Sequence, residues 1–354
     1  MKIKGSEAWI SSLKLAEPYD VAYGSIHKAD NVFLRIDSDN GFFGYGCAAP
    51  DQEVTGEDAK TLLAIYQAEL ESLLLQQDPI RINYIMTNLR KRFPLQPSLL
   101  AMVDMALYDL IAKSVNLPLY RFLGGYRSSI ATSITIGILG VQATVARAKE
   151  WQKKGYKILK IKGGLNVDLD IERVAKVREA CGKTMQIRFD ANQGYHVEDA
   201  VKFVRETANQ QVELLEQPTP KEELELLGQV QQRTSIPIMA DEGLLNLVDV
   251  FHIAKNKLAD MVNIKLMKVG GINEAININA VAKAAGMEIM VGCMDESALG
   301  IAAGLHFALA RPHINYTDLD GHLDLIDDPA KNLFELKAGI LYPNDQPGLG
   351  LIGL

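Results

Sequence analysis

Cysteine is scarce in this chain. Cys47, Cys181 and Cys293 are odd in number and scattered, so they read as reduced core or loop residues, not a disulfide set, which fits a cytoplasmic protein. No run approaches the about 18 apolar residues of a membrane-spanning helix. The opening MKIKGSEAWISSLKLAEPYD also lacks the continuous apolar core of a secretory signal. Positive charge is in short supply too. A net charge of −7, a pI near 5.5 and the absence of a Lys/Arg run argue against general nucleic-acid binding. Glycine-rich pieces such as KVGGIN lack the full dinucleotide fingerprint after a first strand, so a nicotinamide site is not indicated. Of the six histidines, His196, His252, His306 and His313 fall in helical or flanking contexts and read as structural.

What is present is an ordinary globular balance, 48% hydrophobic and 23% charged, over 354 residues. That length accommodates a barrel of about 250 residues and a second domain of roughly 100. Residues 1–125 carry two strand-like runs, 7–15 and 31–37, then the Gly/aromatic turn and strand GFFGYG. Helical spacing follows in LLAIYQAELESLLL and SLLAMVDMALYDLIAKSV, until Gly124 and Gly125 stop it. This predicts an α+β domain. Strands and helices then alternate, with helices expected over 142–154, 168–181, 197–208, 221–232, 246–257, 272–285 and 297–309. Eight strands and seven helices result, spanning 126–321. A Gly- and Pro-rich tail, 322–354, is expected to pack back on the N-terminal domain.

Five of the strands end in a polar residue suited to hold a metal or move a proton. They are KILKIK (Lys160, Lys162), QIRFD (Asp190), ELLE (Glu216), IMAD (Asp241) and VNIK (Lys265), at intervals of 24 to 30 residues counted from Lys160. A parallel barrel collects such strand ends in one site at one rim. Side chains alternate along a strand, so Lys160 and Lys162 share the interior face while Leu159 and Ile161 share the other. Three carboxylates converging on one rim need a counter-charge. A hard divalent cation meets that need, and Mg²⁺ suits one carboxylate per strand with positions left for water and substrate oxygens. Glu242 points the other way and is expected to support the ligands, and Asn263 to orient them or Lys265. Lysines on opposite sides of a metal-bound carboxylate suggest abstraction and return of the proton on the adjacent carbon through an enediolate. The lysine acting as base must then fall below its ordinary value of about 10.4.

Taken together, LPLYRFLGG at 117–125, KIKGG at 160–164, FDANQGY at 189–195, LLEQP at 214–218, ADEG at 240–243 and NIKLMKVGGI at 263–272 resemble the enolase superfamily, muconate-lactonising subgroup, over nearly the whole length. The resemblance implies a (β/α)₇β modified TIM barrel under an α+β N-terminal capping domain, with a mobile specificity loop at about 16–30. It implies one Mg²⁺ per subunit on Asp190, Glu216 and Asp241, acid/base roles for Lys162 and Lys265, and Lys160 polarising the substrate carboxylate. A homo-oligomer is implied as well. Mandelate-racemase-like relatives carry an Asp on strand six and a His after strand seven. Here Lys265 and GCMDES stand there, so a Lys/Lys pair is indicated.

Within the subgroup, YTDLDG resembles the DxD motif of dipeptide epimerases. It puts Asp318 and Asp320 on one face, where they suit a substrate ammonium. Met294, Glu296 and Thr135 resemble pocket-lining positions. Relatives acting on L-Ala-L-Glu carry an Arg in the specificity loop where this chain has Gly24. Tyr19, Tyr23 and Ile26 offer apolar area there and favour a small or hydrophobic second residue, while Asp20 and Asp51 leave a cationic one open. The expected activity is therefore Mg²⁺-dependent epimerisation of an L-Ala-L-Xaa-type dipeptide. The alternatives are an o-succinylbenzoate synthase-type lyase, which has no use for Asp318 and Asp320, an N-acylamino-acid racemase, and a non-catalytic barrel, which has no use for so much buried charge.

Overall fold

The structure is a computed structural model. It describes residues 1–21 and 24–354, with side chains for 1–17 and 27–354. The specificity positions Tyr19, Asp20, Tyr23, Gly24 and Ile26 therefore lie outside the described residues at side-chain level. No helix among the described residues is long and apolar enough to cross a membrane.

The N-terminal region begins with an antiparallel hairpin of strands Ile3–Val21 and Gly24–Ser38, and Phe43–Ala48 pairs on the second strand. Both hairpin strands exceed the runs expected from sequence. Their outer parts are held by polar partners, with Lys28 Nζ on Asp30 at 2.9 Å and Asp30 beside Ser12, and such residues hide a strand from a hydrophobic-pattern search. Alternation gives the sheet two apolar faces. Val32, Leu34 and Ile36 pack on the capping helices, while Phe33 joins the barrel core. The helix Pro97–Ser114 divides the two cores and is buried on every side from Ser98 to Ala112. Phe43–Ala48 lies against its backbone: a Cβ at Gly44 would stand 2.1 Å from the Ala106 carbonyl oxygen, so only glycine permits the approach.

The barrel strands, one to eight, are Ile134–Ile136, Ile158–Lys162, Gln186–Asp190, Val212–Glu216, Ile238–Ala240, Met261–Lys265, Glu288–Gly292 and Ile314–Asp318. They are parallel and paired in sequence order. The Ser133 N–H donates to the Thr317 carbonyl at 3.2 Å and brings strands one and eight together, so the sheet is nearly closed. Helices fall within three residues of the expected bounds. An extra helical turn, Leu266–Val269, stands where KVGGIN had suggested a plain turn.

The tail contributes strands to both regions. Leu325–Ile326 pairs with Lys14 and Leu15 of the first hairpin strand. Ile340–Pro343 pairs with Phe334–Lys337 on one side and with Ile130–Ala131, just ahead of barrel strand one, on the other.

Candidate active site

The polar residues sit on strands whose other face is apolar. Leu159 and Ile161 are fully buried between barrel and helices, and this turns Lys160 and Lys162 toward the interior. Lys160 is 3% exposed, and its Nζ lies 3.1 Å from Asp190 Oδ2, 2.9 Å from Glu216 Oε2 and 2.9 Å from Asp318 Oδ2. One ammonium thus joins carboxylates from strands three, four and eight. Lys162, half-buried, pairs in register with Asp190, which pairs with Glu216. Among the described residues Lys162 makes no ion pair.

Asp241 follows strand five and is fully buried. Its Oδ2 is 2.7 Å from Lys265 Nζ, and its Oδ1 accepts from Lys268 Nζ at 2.5 Å. Lys268 also donates to the carbonyl oxygens of Asp241 and Asn263. Asn263 Nδ2 donates to Glu216 Oε1 at 2.8 Å, and Gln217 Oε1 accepts the Asp241 N–H at 2.8 Å. The ends of strands four, five and six are thereby tied to one another. In an eight-stranded ring, strands two and six are four places apart, so Lys162 and Lys265 project from opposite walls across the carboxylates of strands three to five.

At the seam, strand one holds the aspartates of strand eight. Ser133 Oγ donates to Asp318 Oδ1 at 2.6 Å, and the Thr135 N–H donates to Asp320 Oδ2 at 2.6 Å. The main chain of Thr135 is thus engaged with Asp320. Glu296 is buried, with Oε1 accepting the Met294 N–H at 3.2 Å and Oε2 without a hydrogen bond. Met294 packs partly buried against the barrel core. Glu242 is buried near the Asp241 and Asp190 carboxylates, and Asn192 Nδ2 donates to it at 3.4 Å. Asp51 uses Oδ1 to accept the N–H groups of Glu53 and Val54, which makes it the cap of a turn.

Electrostatics follow from crowding in a dry cavity. Burial pushes Glu216 up to about 8, opposed by Lys160 and reinforced by the Asp190 and Asp241 charges. Burial likewise lifts Asp320 to about 7, with the Asp318 charge adding to it. Against desolvation, Lys265 and Lys268 hold Asp241 well below the usual carboxylate range. Burial lowers Lys265, but the adjacent Asp241 carboxylate outweighs it and Lys265 ends above its ordinary value. Lys160 is raised too, desolvation being outweighed by Asp190, Asp318 and Glu216.

Asp190 and Glu216 are drawn to Lys160 while Asp241 turns to Lys265 and Lys268, and among the described residues no three His, Cys, Asp or Glu groups are arranged as a metal-ligand set. The chemistry of the donors nonetheless fits a hard cation. Glu216 Oε2 and Asp241 Oδ2 are buried oxygens that accept no hydrogen bond among the described residues, with the ammonium of Lys160 at 2.9 Å from the first and that of Lys265 at 2.7 Å from the second. Lys268 was missed from sequence, although a lone lysine in the apolar stretch between Met267 and Val269 was the available signal.

Residues 7–124 match the family described as mandelate racemase / muconate lactonizing enzyme, N-terminal domain, and residues 143–352 match enolase C-terminal domain-like. The chain is 40% identical to the L-Lys-D/L-Arg epimerase of Desulforapulum autotrophicum over 99% of each chain. It superposes with a TM-score of 0.96 on the dipeptide epimerase of Enterococcus faecalis V583 complexed with Mg and L-Leu-L-Tyr, at 37% identity over 99% of each chain. The substrate-liganded L-Ala-D/L-Glu epimerase of Bacillus subtilis gives 0.95 at 35% identity, covering 100% of this chain and 99% of that one.

Proposed function

The chain belongs to the enolase superfamily, and from that premise we propose that it is a dipeptide epimerase, inverting the α-carbon of the C-terminal residue by 1,1-proton transfer. The observation that carries this reading is the opposition of Lys162 and Lys265 across a carboxylate cluster. One lysine removes the α-proton from one face, and the other delivers a proton to the opposite face. Asp190, Glu216 and Asp241 would hold one Mg²⁺ per subunit. Bound there, the cation engages their charge, lowers the lysines' hold on their protons and acidifies the carbon next to the substrate carboxylate. Lys160, deep between the carboxylates, keeps an ammonium against the substrate carboxylate as charge develops on it.

Asp318 and Asp320 take the substrate's N-terminal ammonium. The raised proton affinity of Asp320 supports this, because burial beside a second carboxylate creates a demand for a cation. A synthase-type lyase or an N-acylamino-acid racemase brings no ammonium to that seam. Met294 and Glu296 line the pocket from strand seven. For the second residue, the apolar composition of the sequence around Tyr19, Tyr23 and Ile26 is the ground for proposing a small or hydrophobic side chain. The cationic option rests on Asp51, whose Oδ1 caps a turn by accepting the N–H groups of Glu53 and Val54.

The test is incubation with L,L-dipeptides in D₂O, reading deuterium at the C-terminal α-carbon by NMR. Exchange is expected with apolar second residues. Absence of exchange across apolar, acidic and basic dipeptides with Mg²⁺ present would end the reading.

A further inference from the structure

The two lysine-bearing strands hand over to their following helices in different ways. After strand two, Asn166 caps its own helix, Val167–Cys181, by accepting the N–H groups of Asp168 and Leu169, both at 3.1 Å. After strand six, the helix Ile272–Ala284 has Gly271 at its cap position, with no side chain to offer. The missing acceptor comes from another region of the chain. Asp104, fully buried in the middle of Pro97–Ser114, accepts the N–H of Ile272 and, at 3.2 Å, that of Asn273.

The fit is close enough to dictate sequence. Gly271 has φ +102°, and a Cβ there would stand 2.5 Å from the Asp104 side chain. The N–H groups of Gly270 and Gly271 both return to the Leu266 carbonyl, at 3.0 and 2.9 Å, closing the turn that begins directly after Lys265. Arg90 Nη1 donates to the Val269 carbonyl at 3.3 Å, a second strap from the N-terminal helices. The turn between Lys265 and Ile272 is thus held by Lys268 on Asp241, by Arg90 and by Asp104.

We propose that Asp104 is a positioning residue for Lys265: through Ile272 and the closed turn it fixes the strand-six lysine, and it has no hold on the strand-two lysine. This rests on the two-base reading above and adds an asymmetry to it. Removing the carboxylate loosens one base and leaves the other in place.

The experiment compares wild type with Asp104→Asn, which keeps the volume and one acceptor, and with Asp104→Ala. Deuterium wash-in at the α-carbon is measured separately from each epimer with Mg²⁺ present. Expected is a loss of about tenfold from the epimer whose exchange Lys265→Ala abolishes, and less than twofold from the other. An equal loss from both epimers, or none, overturns the proposal. A second readout needs no substrate: hydrogen exchange of the backbone, followed by mass spectrometry. Faster exchange in Asp104→Asn across residues 261–275, with 158–170 unchanged, supports the proposal even if no dipeptide is turned over, and uniform or unchanged exchange in both segments refutes it.

Discussion

Strand two sends Lys160 among three carboxylates and leaves Lys162 half-buried at the strand end, whereas strand six and the helical turn after it commit Lys265 and Lys268 to the single carboxylate of Asp241. The first arrangement spreads one positive charge over three strands. The second concentrates two positive charges on one acid and straps the following turn to the N-terminal helices. An enzyme that inverts a carbon needs bases on both faces, yet nothing requires the faces to be built alike. On the two-base reading proposed above, one lysine stands on a wall stapled to a second core, and the other on a wall that caps itself.

The sharpest way to break this comparison is to remove each base in turn. Lys162→Ala and Lys265→Ala should each lower epimerisation by about 10³-fold, near the middle of the range for a positioned acid or base. Each should keep α-proton exchange with one epimer only, and the surviving epimer should differ between the two. Isotope exchange monitored by NMR decides it, and survival of the same epimer in both variants would contradict opposed bases.

Stability should show the same imbalance. Lys268→Met strips Asp241 of one of two buried ammonium partners and should cost about 3 kcal/mol in urea unfolding. Lys162→Met, which breaks no ion pair among the described residues, should cost under about 1 kcal/mol. Comparable losses would erase the distinction drawn here.

At the seam next to strand two, Asp320→Asn should reduce kcat/KM for a free dipeptide by about 10²-fold, roughly the worth of a charge-assisted contact to an ammonium. An N-acetylated dipeptide, lacking that ammonium, should be a poor substrate of the wild type and little affected by the change. Equal sensitivity of both substrates would remove the seam from ammonium binding.

A pH-dependent effect concerns the helix behind strand seven. His306 is fully buried, its Nδ1 accepts the Tyr120 N–H at 2.9 Å, and desolvation lowers its pKa from 6.5 to about 3. Below pH 6.5 the unfolded chain binds a proton that the folded His306 refuses, so its share of stability, complete above that pH, is lost as pH falls toward about 3. The slope is about 1.4 kcal/mol per pH unit. His306→Gln should flatten the acid limb of unfolding free energy against pH, and an unchanged limb would locate the titrating group elsewhere.

Much of this was legible before any coordinates. The barrel strands announce themselves as apolar runs with polar ends, because parallel strands are buried on both faces and only their rim positions are free to carry charge. Hence Lys160, Asp190, Glu216, Asp241 and Lys265 stood out. Lys268 did not, since a lysine three residues beyond a strand reads as a solvated helix position; only the tertiary approach of Asp241 buries it. Asp104 and Asp109 were equally silent within LLAMVDMALYDLIA. Two acids in an apolar helix were a usable hint that each meets N–H groups from elsewhere, Ile272 in one case and Leu349 in the other. The raised proton affinity of Lys265 was unforeseeable for a related reason, because it depends on which ammonium Asp241 faces.

The tail strands bear on how the molecule is made. The strand edge that borders the first hairpin comes from Leu325–Ile326, and the partner of Ile130–Ala131 comes from Ile340–Pro343. Without residues 325–343 the hairpin sheet would therefore keep three strands and an open edge, whereas Ile130–Ala131 would have no strand partner at all.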